Sequence, residues 1–164
     1  MKRIVVVRHA KAVPYGYDDD FHRDLIDRGI NDAEMVSHAC KTRGIIPDLI
    51  MSSPATRAIK TARIFADTLN FDENQIIENI DLYAGITTRE FIEIIHELPG
   101  EAGTVYFFGH NPYIFTFANN LLKHFSQDMP TCAVVSINFG ISKWKDVEIR
   151  SGDSEFRITP RMLK

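Results

Sequence analysis

The stretch RIVVVRHAKA, residues 3–12, indicates a buried strand that ends in a group of polar side chains. Residues 4–7 form a continuous β-branched run, which is typical of a strand covered on both faces in a parallel or mixed sheet. Arg8, His9 and Lys11 follow this run directly, and each of them favours a charged partner. The end of the first strand is therefore a candidate binding site for a charged ligand.

The composition is that of a single compact domain. The chain has 164 residues, 45% of them hydrophobic, which is enough for one core and leaves little for a second. We therefore expect one domain over residues 1–164. The net charge of -3 gives no general reason to bind nucleic acid or an acidic membrane, because both need a basic face. Any binding of an anion must then be local.

Cysteine usage and the N-terminal residues predict a cytoplasmic protein. Cys40 and Cys132 show neither CxxC spacing nor a metal-ligand pattern, so we expect no disulfide framework and no zinc site. The apolar run before Arg8 is too short for a signal sequence, and no stretch approaches the length of a membrane span.

Short apolar runs alternate with helical patterns along the chain. Further strands are predicted at residues 48–52, 105–109 and 133–139, with an alternating edge or hairpin strand at 146–150. Apolar residues at helical spacing predict helices around residues 33–40, 58–69, 91–98 and 114–122. This order predicts an α/β fold with three α/β/α layers and a mixed, mostly parallel central sheet.

Capping patterns locate the starts of three of these helices. Ser53 before Pro54 and Asn111 before Pro112 each place a capping residue ahead of a proline at the first helical position. Thr87 and Glu90 have the spacing of a capping box. The long irregular stretch, residues 12–25, is predicted to be a functional loop, because loops of that length are uncommon in compact domains.

A cation or a histidine follows each of three predicted strands, and these strand ends are expected to lie at one edge of the sheet. Arg8 and His9 follow the first strand, Arg57 lies in the first turn of the helix after the second, and His110 follows a third. Each has an ordinary explanation when taken alone, such as a solvated arginine or a histidine bonded to backbone. In an open α/β sheet, however, ligands bind at the carboxyl ends of the strands, and chance rarely brings three such ends together.

This set of residues suits phosphoryl transfer. Two guanidinium groups can bind the oxygens of a phosphoryl group, and helix N-termini add N–H donors. A neutral imidazole can attack phosphorus, and Arg8 and Arg57 should keep His9 neutral by charge repulsion. No glycine-rich phosphate loop is present, and the acidic run at residues 18–20 is interpreted as a solvated loop rather than a Mg²⁺ site. We therefore expect a scheme without a metal and without a cofactor.

At these residues the chain resembles the histidine phosphatase superfamily, whose signature is an Arg-His pair at the end of the first strand. RHAKA stands here in place of the commoner RHG form. The further matching segments are DFHRDL (20–25), PDLIMSSPATRAIKTA (47–62) and FFGHNP (107–112). Together they are similar to the small SixA-type phosphohistidine phosphatases, over a span from Arg3 to about Phe139. The resemblance implies a phosphoglycerate mutase-like fold.

The resemblance also implies roles for individual residues. His9 would be the nucleophile that becomes phosphorylated, and Arg8, Arg57 and His110 would bind the phosphoryl oxygens. Arg23 would be a further contact.

Four more positions bear on that comparison. Asp20 would orient the loop arginine, order the loop, or be an exposed turn carboxylate, and Asn111 is a further candidate for substrate binding. The family pattern has proline where this chain has Asp24 and glycine where it has Cys132.

The segment DLYAG, residues 81–85, lacks the general-acid glutamate that phosphomonoesterases and mutases of the superfamily place near this position. Leu82, Tyr83 and Ala84 stand there instead, and Asp81 is a nearby carboxylate. A departing alkoxide needs a proton, whereas the imidazole of a phosphohistidine leaves more readily. The absence of the acid favours a substrate with phosphorus bonded to nitrogen.

The leading hypothesis is a phosphatase that removes phosphate from a histidine of a partner protein, such as a phosphotransfer domain or a carrier. One alternative is a small-molecule phosphomonoesterase that uses Asp81 or another loop carboxylate as its acid. Another is a catalytically silent module that binds phosphoproteins, against which His9 argues because binding needs only the arginines.

Overall fold

The structure is a computed structural model that describes residues 1–16, 19–124 and 127–164. The strands are β1 (Lys2–Arg8), β2 (Leu49–Ser52), β3 (Ile77–Glu78), β4 (Thr104–Gly109), β5 (Val134–Phe139) and β6 (Asp153–Ile158). The α-helices are α1 (Asp27–Thr42), α2 (Thr56–Thr68), α3 (Asp81–Ala84), α4 (Thr88–His96), α5 (Tyr113–Leu121) and α6 (Pro160–Leu163). Short 3₁₀ helices lie at Asp20–His22, Glu73–Gln75 and Trp144–Asp146.

The strands form one mixed sheet in the order β3-β2-β4-β1-β5-β6. The pairs β2–β3, β2–β4 and β1–β4 are parallel, and β5 runs antiparallel to both β1 and β6. Arg8 lies opposite Gly109, and Ser52 lies opposite Phe108. The carboxyl ends of β1, β2 and β4 therefore meet at one edge of the sheet.

Helices cover both faces of this sheet. Ile4 and Val6 of β1 belong to a core cluster with residues of α4 and α5, while Val5 and Val7 belong to a second cluster with residues of α1 and α2. All four of these side chains are fully buried. The β-branched run is thus a strand buried on both faces, and the predicted α/β/α fold with a mixed, mostly parallel sheet is confirmed.

The prediction of a strand at residues 146–150 is wrong. Trp144 begins a 3₁₀ helix that ends at Asp146, and the antiparallel edge strand comes later, as β6. Of the two alternating apolar residues in this segment, Val147 is buried in the core and Ile149 is exposed. Just before the segment, Trp144 is buried and donates its indole N–H to the carbonyls of Pro99 and Ala102. The alternation in the sequence therefore does not correspond to one buried strand face.

Of the predicted helix starts, the capping box of Thr87 and Glu90 is confirmed at α4. The other two are wrong as caps. Helix α2 begins at Thr56 without a side-chain cap, and the hydroxyl of Ser53 accepts from the backbone N–H of Ala55 instead. Helix α5 begins at Tyr113, and the side-chain amide of Asn111 donates to the carbonyl of Met129. Both capping residues are used to build the carboxyl edge of the sheet.

The predicted loop at residues 12–25 begins and ends with a bridge between Ala12 and Leu25. Within it, Tyr17 and Asp18 lie outside the described residues, so the acidic run at 18–20 is described only at Asp19 and Asp20. None of the helices in the described ranges is both long and apolar enough to cross a membrane.

Candidate active site

The carboxyl edge of the sheet opens into a cavity of about 690 Å³. All seven residues that the sequence singled out as site candidates line it: Arg8, His9, Asp20, Arg23, Arg57, His110 and Asn111. The topology of the sheet brings these residues together, because β1 and β4 end side by side and α2 follows directly from β2.

One ring nitrogen of His9 carries no proton and so has a free lone pair. Its Nδ1–H donates to the carbonyl of Ala10 at 2.8 Å, so the neutral ring carries no proton on Nε2. The residue is only 8% exposed. The pKa of His9 is lowered to about 3, chiefly by burial, which outweighs the hydrogen bond to Ala10, and in smaller part by electrostatic repulsion from His110, Arg57 and Arg8. His9 is therefore neutral at physiological pH, with Nε2 available as a nucleophile.

The two arginines are held by their terminal nitrogens. Arg8 donates from Nη1 to the carbonyl of Met129 at 3.1 Å. Arg57 donates from Nη1 to the carbonyl of Asp20 at 2.6 Å and from Nη2 to its carboxylate at 3.1 Å. Burial, and then the charge of Arg57, lower the pKa of Arg8. Two guanidinium groups thus lie close enough to repel each other, which is an arrangement that an anion would stabilise.

Unpaired buried polar atoms concentrate in this cavity. Within the described ranges, the buried side-chain nitrogens and oxygens without a hydrogen-bond partner are Arg8 Nε, Arg57 Nε, His110 Nδ1, Asn111 Oδ1 and Asn138 Oδ1. Four of these five atoms belong to residues that line the cavity. Orphaned buried groups are costly and uncommon in folded proteins. Three unpaired nitrogens around one cavity indicate a site for a ligand with several acceptor oxygens.

Asp20 connects the loop to the cavity. Its Oδ2 accepts from Tyr83 Oη at 2.8 Å as well as from Arg57, and its Oδ1 accepts from Arg23 Nε at 3.1 Å and Nη2 at 3.0 Å. Burial alone would raise the pKa of Asp20, but the hydrogen bonds from Tyr83 and Arg57 outweigh it and lower the pKa to about 2. Arg23 also donates to the carbonyl of Val13 at 2.9 Å. Of the readings left open for Asp20, the exposed turn carboxylate is the one these contacts disfavour.

Sequence reasoning missed two residues that support the site. Thr61 accepts from the backbone N–H of Ala10 at 3.0 Å and donates to the carbonyl of Arg57 at 2.7 Å, so it connects β1 to α2. Ser53 Oγ lies 2.8 Å from Nε2 of His110. Both residues lie in the matching segment at residues 47–62, but the sequence does not indicate which atoms they contact.

The two departures from the family pattern have local explanations. Cys132 adopts a φ of 61°, a backbone conformation in which glycine is the favoured residue. Its N–H donates to the carbonyls of Arg8 and His9 at 3.1 and 3.0 Å, so this turn directly supports the end of β1. Asp24 accepts from Lys60 at 2.7 Å. The cavity forms despite both substitutions.

Asp81 does not line the cavity. It lines a separate groove with Leu49, Ile77 and Glu93, whereas Tyr83 and Ala84 of the same segment line the cavity itself. The phenol of Tyr83 is a poor acid here, because burial and the hydrogen bond to Asp20 raise its pKa. Among the described residues, the carboxylate that lines the cavity is Asp20, and it is ionised because its pKa is lowered. Over the described parts of the chain, no group of three or more His, Cys, Asp or Glu residues is arranged to hold a metal ion.

Two solved structures share this fold. The protein histidine phosphatase SixA, solved with tungstate, superposes with a TM-score of 0.84 at 19% identity over 99% of each chain. The phosphohistidine phosphatase SixA assigned in Agrobacterium tumefaciens gives a TM-score of 0.79 at 22% identity, over 97% of this chain and 98% of that chain. At such identities the match concerns the fold alone.

Sequence comparison supplies the family. The mitochondrial serine/threonine-protein phosphatase Pgam5 of Drosophila yakuba is 32% identical over 76 residues, which is 46% of this chain and 26% of that protein. The chain therefore spans about a quarter of that relative's length. The model of the histidine phosphatase superfamily (branch 1) matches residues 4–107, well over half of the chain. The chain belongs to the histidine phosphatase superfamily.

Proposed function

We propose that this protein is a phosphohistidine phosphatase that removes phosphate from a histidine of a partner protein through a covalent phosphohistidine on His9. One observation carries the proposal: a neutral, buried imidazole lies in a cavity where one buried nitrogen of each of Arg8, Arg57 and His110 has no hydrogen-bond partner among the described residues. Those nitrogens match the acceptor oxygens of a phosphoryl group.

The first step forms one bond and breaks one. The lone pair on Nε2 of His9 attacks phosphorus, and the bond from phosphorus to the substrate's imidazole nitrogen breaks with its electron pair left on that nitrogen. Arg8, Arg57 and His110 bind the three phosphoryl oxygens as their charge spreads in the transition state. In the second step, a water molecule attacks the phosphoryl group, the bond to Nε2 breaks, and inorganic phosphate leaves.

The choice of a phosphohistidine substrate rests on the missing acid. Tyr83 and Ala84 line the cavity where a protonated carboxyl group would have to stand, and Asp20 is ionised, with a pKa of about 2. Among the described residues that line the cavity, none would give a proton to an alkoxide leaving group, at a cost of about 10²- to 10⁴-fold in rate. An imidazole leaving group depends less on such an acid. The shared fold with SixA, a protein histidine phosphatase, supports the same choice.

The proposal needs neither a metal nor another cofactor, because the two guanidinium groups supply the positive charge that Mg²⁺ supplies in other phosphoryl transfers. The partner would be a cytoplasmic protein that carries phosphohistidine, such as a phosphotransfer domain or a sugar-transport carrier. We propose no role in binding nucleic acid or membranes, in keeping with the net charge of -3.

A second candidate is hydrolysis of a phosphoester. It is favoured by the similarity to Pgam5, which is named as a serine/threonine-protein phosphatase. A small-molecule phosphomonoester is the other ester substrate of this kind. Either would need an acid other than Asp81, since Asp81 lines a different groove.

The deciding experiment compares four substrates at equal concentration: a phosphohistidine phosphotransfer domain, a phosphohistidine carrier, a phosphoserine peptide and a sugar phosphate. We expect kcat/KM to be highest for one of the phosphohistidine proteins and to be lost in His9→Ala. His38→Ala, at an exposed position of α1, is the matched histidine control and should keep full activity. A higher kcat/KM for either ester would overturn the proposal, and binding of phosphoprotein without turnover would identify a silent module.

A further inference from the structure

The hydrogen bond between Ser53 and His110 determines which nitrogen of His110 carries the proton. Ser53 is fully buried, and its Oγ lies 2.8 Å from Nε2 of His110. The same oxygen accepts from the backbone N–H of Ala55 at 3.2 Å. Within the described part of the chain, these are the two hydrogen-bond partners of the hydroxyl.

Only one placement of the protons on Ser53 and His110 gives the hydroxyl proton of Ser53 an acceptor. A serine hydroxyl has one proton to donate and lone pairs that accept. If His110 donated from Nε2, the hydroxyl proton of Ser53 would be buried without an acceptor, at a cost of roughly 1–3 kcal/mol. If Ser53 donates to Nε2, its proton and the N–H of Ala55 are both paired. The proton of the neutral His110 ring must then lie on Nδ1.

We propose that Ser53 is a positioning residue that holds His110 in the Nδ1–H tautomer and so makes Nδ1 a hydrogen-bond donor to the phosphoryl group. Nδ1 is buried and has no hydrogen-bond partner among the residues that the structure describes. As a donor, Nδ1 joins the two other unpaired buried nitrogens of the cavity residues, Arg8 Nε and Arg57 Nε. As a lone pair it would repel the phosphoryl oxygens instead.

The tautomer matters because His110 is neutral. Burial, and then the charge of Arg57, lower its pKa to about 4, so at physiological pH the ring has one proton rather than two. A free neutral imidazole in water prefers the proton on the other nitrogen, Nε2. Ser53 therefore selects the less favoured form. The link to the phosphoryl group depends on the proposed function, but the location of the proton does not.

The test is ¹⁵N NMR of the histidine rings in the full-length protein, with the His110 signals assigned from a His110→Gln variant. In the wild type we expect a protonated Nδ1 and an unprotonated Nε2. In Ser53→Ala the proton should move to Nε2, and kcat should fall by about tenfold or more, because the donor is lost or must be restored at a cost.

Two internal controls separate positioning from misfolding. His9 also has its proton on Nδ1, through Ala10, and its signals should be unchanged in Ser53→Ala. Ser52→Ala removes a neighbouring buried hydroxyl that donates to the carbonyl of Ser53, and it should leave the tautomer of His110 unchanged.

A wild-type His110 with its proton on Nε2, or a tautomer that is the same in Ser53→Ala, would overturn the proposal. A shift of the proton without any change in kcat would overturn the catalytic part of it. If the protein proves to have no phosphatase activity, the proposed function fails, while the NMR spectra still decide the tautomer.

Discussion

His9 combines two properties that seldom occur together in a histidine at neutral pH. It is neutral, because burial lowers its pKa to about 3, and it faces the guanidinium groups of Arg8 and Arg57 across a cavity. Neutrality leaves a lone pair on Nε2, and the arginines attract the dianion that this lone pair would attack. Under the proposed function, the run of valines ends in charged residues because the buried strand places His9, the proposed nucleophile, at the carboxyl edge of the sheet.

Arg57→Ala should weaken both binding and turnover, since a guanidinium group binds the ground state as well as the transition state. We expect kcat/KM to fall by about 10²- to 10³-fold, as for the loss of one oxyanion donor. Affinity for inorganic phosphate, measured by calorimetry, should fall as well. Arg63→Ala, at an exposed position of the same helix, should change neither quantity. An unchanged phosphate affinity in Arg57→Ala would remove this arginine from the site.

Cys132 and Cys40 allow a matched test of backbone strain, because both are fully buried. Cys132 has a φ of 61°, whereas Cys40 lies in the last turn of α1. A left-handed conformation costs a non-glycine residue about 1–2 kcal/mol, and glycine in a helix costs about 1 kcal/mol. Cys40→Gly should therefore reduce the free energy of unfolding by about 2 kcal/mol more than Cys132→Gly. Urea denaturation measures both, and equal losses would refute the strain.

At the scale of elements, strands and helices with a continuous apolar pattern could be predicted, and segments with isolated anchors could not. The strand around residues 4–7 was clear because every residue in it is buried. Residues 146–150 mimic a strand because Val147 and Ile149 alternate with polar residues, but Val147 alone of the two is buried, in an irregular loop. Local spacing cannot distinguish these cases.

The candidate site, like the secondary structure, could be predicted from the sequence only in part. Residues at strand ends, such as His9 and His110, could be predicted because the topology of an open sheet brings those ends together. The network around Asp20 could not, because it joins a loop to Arg57 and Tyr83, which are distant in the sequence. Likewise Ser53, read from the sequence as a helix cap, is bonded to His110 across the sheet edge.

The loop that carries Asp20 also gives a test of metal dependence. Asp20 is already bonded to Arg57, Arg23 and Tyr83, so recruiting it to a metal would cost those hydrogen bonds. We expect kcat to be unchanged in EDTA and unchanged when Mg²⁺ is added back. Loss of turnover in EDTA that Mg²⁺ restores would indicate that the acidic run at residues 18–20 binds a metal ion.

At the scale of the whole molecule, the buried histidines should make stability depend on pH. The pKa values of His9 and His110 are lowered from 6.5 to about 3 and 4 in the folded state. Below pH 6.5 the unfolded chain therefore binds protons that the folded chain does not, and the free energy of unfolding falls as the pH drops towards 4.

His9→Gln removes one of these two groups. The free energy of unfolding should then fall less steeply between pH 6.5 and 4, by up to roughly 1.4 kcal/mol per pH unit. Denaturant unfolding at a series of pH values gives both slopes. Equal slopes in the wild type and the variant would mean that His9 takes up its proton as readily in the folded state as in the unfolded chain.

The most direct test of the account is to trap the covalent intermediate on His9. A slowly hydrolysed phosphohistidine substrate is mixed with the enzyme, the reaction is quenched rapidly without acid, and the protein is analysed for bound phosphate. The account predicts an acid-labile, base-stable phosphate on His9 of the wild type, none on His9→Ala, and turnover in that variant lower by orders of magnitude while phosphate still binds. Near-normal turnover in His9→Ala would contradict it, because water would then attack the substrate directly.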